Sequence, residues 1–155
     1  MWSSEVTNMI ITGIWETLYM TLVSTLVGYV IGLPMGIILT VSDKDGIKPN
    51  AVLYKILDVI ANIVRSVPFI ILLVLLIPFT RLVVGKSYGS TATIVPLVIA
   101  AAPYIARMVE SSLKEVDAGV IEAARSMGAS NFTIITKVML VEARTSLLVG
   151  ATITL

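Results

Sequence analysis

The sequence contains no cysteine and no histidine among its 155 residues. Their absence excludes disulfides, thiol nucleophiles, histidine bases and the usual zinc or haem ligands. Charged residues are also scarce, at 14%, whereas a soluble domain carries about 25%. The net charge of +1 is too small to indicate nucleic-acid binding. The sequence also shows no carboxylate pair, no nucleophile beside a base and no cluster of metal ligands, so it does not predict an enzyme.

Hydrophobic residues make up 57% of the chain and are concentrated in long apolar runs. Since a membrane-spanning helix needs about 20 mainly apolar residues, we predict an all-α, polytopic transmembrane protein that forms one domain over 1–155. The predicted spans cover 17–39, 56–79 and 92–109, a polar loop covers 110–144, and a further apolar run begins at 147. That last run is too short to cross a bilayer, so we expect further spans to be missing from this chain.

Basic residues predict the orientation of these spans, because cytoplasmic loops are enriched in lysine and arginine. The N-terminal tail has no basic residue. The polar loop and its edges carry five: Arg107, Lys114, Arg125, Lys137 and Arg144. We therefore predict a multi-pass membrane protein with its N-terminus outside and the loop over 110–144 in the cytoplasm.

Two features of the apolar segments allow more than one interpretation. Gly28, Gly32 and Gly36 share one helical face, which favours close packing against a neighbouring helix; the alternative is a place along a translocation path. An arginine at the centre of a bilayer costs about 2.5 to 3.5 kcal/mol, and less near the edge. Arg65, followed by Ser66 and Pro68, therefore either reaches the cytoplasmic headgroups or faces the interior of the protein near a path.

A short charged helix is predicted within the polar loop. Asp117 is a plausible N-cap, and Gly128 is a natural stop after Met127. Val120, Ala123, Ala124 and Met127 recur at helical spacing on one face, while Glu122, Arg125 and Ser126 share the other. The residues alone leave two interpretations open. The helix is either an ordinary solvated loop helix, or a narrow knob that enters the cleft of a partner protein, with Glu122 available to a basic residue.

One motif carries a family resemblance. Glu122-Ala123-Ala124, followed after three residues by Gly128 and then by Val138 and Leu140, resembles the coupling-loop motif of binding-protein-dependent ABC importer permeases. The family form ends with leucine-proline, whereas this chain has Leu140-Val141. Further segments, over 15–18, 62–73, 77–81 and 101–110, are similar to the methionine importer permeases within that family.

The resemblance implies a type I ABC importer permease of the bacterial inner membrane that pairs as a homodimer and imports D- or L-methionine. Two cytoplasmic ATPase subunits would bind ATP and magnesium, so this chain would bind no cofactor, and an extracytoplasmic methionine-binding lipoprotein would deliver the substrate. The family has five spans, of which this chain would supply three, the coupling loop and the start of the fourth. The residues implied in ATPase coupling are Glu122, Ala123, Ala124, Arg125, Met127 and Gly128.

Two alternatives remain open at this point. One is a permease of the same type of transporter that imports another amino acid, since helix patterns do not identify the residues that contact a substrate. The other is a truncated membrane protein that does not transport and acts as an assembly partner or is inert.

Overall fold

The computed structural model describes residues 3–155, and every regular element in that range is helical. This confirms the predicted all-α class. The elements in chain order are α1 (Ser4–Ser42), α2 (Ala51–Ser66), α3 (Phe69–Leu75), α4 (Ile77–Val84), α5 (Ser90–Lys114), α6 (Ala118–Ser126), α7 (Asn131–Thr133), a π-helical segment (Ile134–Met139), α8 (Leu140–Glu142) and α9 (Arg144–Thr154).

The two longest helices, α1 and α5, pack against each other along the glycine face of α1. A Cβ atom built on Gly32 would lie 2.7 Å from Cγ2 of Ile105, and one on Gly36 would lie 2.6 Å from the carbonyl oxygen of Ala106. Only glycine lets the two backbones approach this closely. Gly28 also faces Ile105. All three glycines therefore lie in a packing seam between α1 and α5, away from open space.

Helix α1 is much longer than the span predicted over 17–39. Its 39 residues begin at Ser4, where the Ser3 side chain accepts a hydrogen bond from the Val6 amide, and they continue past Pro34 to Ser42. At 1.5 Å per residue this corresponds to about 58 Å, compared with a hydrocarbon core of about 30 Å. No helix-stopping sequence separates the mixed segment before residue 17 from the apolar segment after it, so one helix contains both.

The span predicted over 56–79 is not one continuous helix. The chain leaves helical geometry at Val67, and α3 then runs at 106° to α2. Pro68 causes the break, because proline disfavours helical geometry in the residue before it. A second proline, Pro78, lies in the first turn of α4, which ends at Gly85 in a left-handed conformation. Helices α1 and α5 are each long and apolar enough to cross a membrane, and α2 with α3 would make a third, bent span.

The polar loop begins later than predicted, because α5 continues through residues 110–114. The buried face of α5 also carries the core into the following segment. Ile105, Val109 and Leu113 form one apolar cluster with Ala124 of α6, and Ile134, Met139 and Ala143 belong to the same cluster. The predicted start of a further apolar run at 147 falls inside α9, which begins at Arg144. The loop helices are thus packed directly on the end of α5.

Candidate functional site: helix α6 and the adjacent polar network

Local hydrogen bonds define both ends of α6. The Asp117 carboxylate accepts a hydrogen bond of 2.7 Å from the Gly119 amide at the N-terminus. At the other end Gly128 has a φ of 81°, a left-handed conformation that glycine adopts without strain. These are the cap and the stop expected from the sequence. The helix is therefore a defined element with fixed ends.

The two adjacent alanines of α6, Ala123 and Ala124, face opposite environments. Ala124 is only 6% exposed and belongs to the apolar cluster beneath α6, while its neighbour Ala123 is exposed. Ile121 is half-buried on the inner side, and Met127 is 83% exposed. The expected apolar face comprising Val120, Ala123, Ala124 and Met127 is therefore divided. Ala124 supports the helix from beneath and is not accessible to a partner.

The outer surface of α6 consists of small, acidic and flexible side chains. Glu122, Ala123, Ser126, Met127 and Gly128 are all exposed. Within residues 3–155, Glu122 forms no ion pair. The Ser126 hydroxyl donates a hydrogen bond of 2.9 Å to the Glu122 carbonyl and so satisfies a carbonyl of its own helix. This outer surface therefore exposes the Glu122 carboxylate next to small side chains.

Arg125 is exposed, but it also holds α6 to the loop between α1 and α2. Its guanidinium Nη2 donates a hydrogen bond of 3.3 Å to the Ile47 carbonyl oxygen. Between the loop and the helix lies a cavity of about 780 Å³, whose charged lining residues include Asp43, Asp45, Lys114, Glu122 and Arg125. The first loop therefore helps to fix the position of α6, and this contact is not apparent in the sequence.

A buried glutamate organises a polar network at the end of α5, and sequence reasoning did not identify it. Glu110 is 4% exposed. Its carboxylate accepts hydrogen bonds from Nη1 of Arg107 at 2.7 Å, from Nζ of Lys114 at 2.8 Å and from the Tyr54 hydroxyl at 3.1 Å. The spacing of Arg107, Glu110 and Lys114 places them on one helical face. That spacing could have predicted the charged face of α5, but it does not show which residues of α2 pair with it.

The network extends from Glu110 to two other elements. Arg107 also pairs with Asp58 of α2, and Lys114 pairs at 2.6 Å with Asp43, which follows α1. The hydrogen bond from Lys114 holds the pKa of Asp43 below its ordinary value. Every buried side-chain nitrogen or oxygen in the described part of the chain has a hydrogen-bond partner. Three elements are thus joined by charge where α5 meets the loops.

Arg65, Ser66 and Pro68 lie at the break between α2 and α3, beyond Asn62, which accepts a hydrogen bond of 3.5 Å from Arg107. All three are exposed, and the Arg65 guanidinium lies 5.9 Å from the centre of the Tyr104 ring. The Ser66 hydroxyl donates to the Ile63 carbonyl at 2.8 Å. Arg65 is at the end of α2 opposite the first loop.

Residues 28–155 match the protein family described as binding-protein-dependent transport system inner membrane component, and this chain belongs to that family. Over 147 residues it is 54% identical to the D-methionine transport system permease protein MetI of Salmonella typhimurium, covering 95% of this chain and 68% of that protein. It is also 47% identical to the methionine import system permease protein MetP of Bacillus subtilis, covering 99% of this chain and 71% of MetP.

A solved structure shows the same architecture. An inward-facing structure of the MetNI methionine ABC transporter superimposes with a TM-score of 0.96 at 52% identity, covering 99% of this chain and 71% of the matched chain. The type I ABC permease fold expected from the sequence is thereby confirmed.

Proposed function

We propose that this chain is the transmembrane permease subunit of an ATP-driven methionine importer. The similarity to MetI, MetP and the MetNI structure supports methionine as the substrate and an ABC importer as the type of transporter. The observation that carries the coupling role is the exposed surface of α6, which presents Glu122 and Ala123 while the rest of the helix is fixed to the core.

In this proposal α6 docks on a cytoplasmic ATPase subunit, which binds ATP and magnesium. Glu122 pairs with a basic residue of the ATPase, and Ala123 lets the helix enter a narrow cleft. Met127 adds an adaptable apolar contact, and Gly128 ends the helix so that the chain can turn away. Ala124 and Arg125 act indirectly, because they hold α6 to the core and to the first loop.

Movement of α6 would reach the membrane helices through the apolar cluster beneath it. Ala124 packs in one cluster with Val109 and Leu113 of α5. Protein interiors are close-packed and transmit displacement, so a shift of α6 would move the end of α5. Alternating access then requires the ATPase to bind α6 differently in its two nucleotide states.

The proposed assembly contains a second copy of this chain, two ATPase subunits and an extracytoplasmic methionine-binding lipoprotein. The proposed orientation places the N-terminus outside. Helices α1 and α5 are consistent with this orientation because they run in parallel: Gly28, Gly32 and Gly36 meet successively later residues of α5. Both helices therefore end on the side where α6 and the basic loops lie.

Reversal of charge at Glu122 tests the docking proposal. Glu122→Arg should reduce ATP-driven methionine uptake at least about tenfold and prevent copurification with the ATPase, because a like-charge contact replaces an ion pair. Membrane insertion should be unchanged, since Glu122 makes no ion pair within the described residues.

Glu142→Arg provides the matched control, because Glu142 is an exposed carboxylate of α8 in the same segment. It should retain uptake and copurification. Wild-type uptake by Glu122→Arg would contradict the docking role. Competition by unlabelled amino acids in the same uptake assay tests whether methionine is the substrate.

A further inference from the structure

Helix α2 carries a polar stripe along an otherwise apolar surface. Tyr54, Asp58, Asn62 and Arg65 follow each other at intervals of three or four residues and so share one side of the helix. Exposed aliphatic residues occupy the other side, among them Val52, Ile56, Val59 and Ile63. A helix of this kind inside a membrane directs its apolar side toward lipid and its polar side toward protein or water.

Arg65 lies at the level of the middle of α5. Its partner Tyr104 comes ten residues before the end of α5 at Lys114 and fourteen residues after its start at Ser90. At 1.5 Å per residue these separations are about 15 Å and 21 Å. Neither end of α5 is close, so the guanidinium lies deep within the span that α5 forms.

The environment of Arg65 differs from that of the other arginine facing α2. Arg107 is neutralised by Asp58 and Glu110. Among residues 3–155, no carboxylate lies within 4.0 Å of Arg65. An arginine at this depth is tolerated where it meets a counter-ion or lines a water-filled cavity. The structure therefore leaves a deep guanidinium whose charge is not matched within the described chain.

We propose that Arg65 binds the carboxylate of the transported amino acid as it moves along the polar side of α2, and this rests on the function proposed above. A guanidinium binds a carboxylate through two parallel N–H···O hydrogen bonds. The Arg65 Cζ lies 5.9 Å from the centre of the Tyr104 ring, in the range of a cation–π contact, and a cation–π contact does not use the N–H groups that would donate to the carboxylate.

The break after Ser66 supports this placement. The chain leaves helical geometry at Val67 and resumes in α3 at 106° to α2. Interrupted backbone at membrane depth is tolerated where it is buried in protein or lines a water-filled cavity, and substrate sites of transporters form at such breaks. Because Ser66 is exposed directly beside Arg65, it is the position at which access of water and substrate can be measured.

The test uses the chain in complex with its ATPase in nanodiscs, where both membrane faces are accessible. The chain has no cysteine, so Ser66→Cys introduces its single thiol. A charged methanethiosulfonate reagent should label this thiol, and L-methionine should slow the labelling at least about threefold. L-Methioninol, which lacks the carboxylate, should not slow the labelling. The control is Ile63→Cys, 58% exposed on the apolar side of α2, which should remain unlabelled because it faces lipid.

The charge itself is tested by Arg65→Gln. Loss of a charge-assisted pair should raise the KM for methionine uptake about tenfold or more and abolish protection at Ser66→Cys, and Arg65→Lys should restore part of both. Failure to label Ser66→Cys, equal protection by methioninol, or an unchanged KM in Arg65→Gln would each overturn the proposal. Uptake by the unsubstituted complex tests the proposed function separately, so the two failures can be distinguished.

Discussion

Helix α5 is held by two chemically different interfaces along its length. Its middle packs against the glycine face of α1, where Ile105 is fully buried and no charge is involved. Its last two turns are held by the network around Glu110, which reaches α2 and the loop after α1. Shape complementarity fixes the first interface, whereas paired charges fix the second.

The difference indicates which interface can respond to a signal. Close-packed apolar surfaces offer one arrangement and resist displacement, while ion pairs can exchange partners when a neighbouring element moves. The charged end of α5 is also the end that packs on α6. We therefore expect the α1–α5 seam to move as a rigid unit and the Glu110 network to be where motion of α6 is accommodated.

Removal of the central carboxylate should give the largest effect. Glu110→Ala removes the acceptor of three hydrogen bonds, while Arg107 keeps Asp58 and Lys114 keeps Asp43. Since a hydrogen bond to a charged group contributes about 1.5 to 3 kcal/mol, we expect a loss of stability of about that size. Thermal unfolding in detergent should show the loss. Glu115→Ala is the control, because Glu115 is exposed and forms no ion pair in the described chain. An unchanged midpoint for Glu110→Ala would show that the network does not hold α5.

A methyl group added to the seam should have the next largest effect. In Gly36→Ala the new Cβ would lie 2.6 Å from both the Ala106 carbonyl oxygen and Cβ of Val109. Overpacking of this kind costs about 1 to 3 kcal/mol. Gly13→Ala, in the same helix with no neighbour within 4 Å, should be neutral or slightly stabilising. Equal unfolding midpoints for the two variants would mean that α1 and α5 separate more easily than the seam implies.

Features that depend on local sequence were predictable. The four-residue spacing of the glycines favours a packed face, and Asp117 and Gly128 predict the ends of α6 through their own hydrogen bonding and backbone preferences. The coupling motif likewise lies within one short segment. In each case the physical cause lies within a few residues of the feature it produces.

Features that depend on distant partners were not predictable. Tyr54 and Glu110 are 56 positions apart, and no periodicity relates them. Ala123 and Ala124 are chemically identical neighbours, so only the packing of α6 on the core decides which one is buried. The bend after Ser66 is a different case, because its cause, Pro68, is local, but a prediction based on hydropathy alone does not show it.

The ion pair at the edge of the network should give the smallest effect and a defined pH dependence. The pKa of Asp43 is lowered from 3.8, first by its hydrogen bond with Lys114. A lowered pKa means that the contribution is present above 3.8 and is lost as the pH falls through the folded-state pKa below it. Lys114 is 42% exposed, so the pair should contribute only about 0.5 to 1 kcal/mol.

Asp43→Asn should therefore lower the unfolding midpoint slightly at pH 7, and the difference from the unsubstituted chain should shrink below pH 3.8. A difference that persists unchanged at low pH would assign the effect to packing instead of charge.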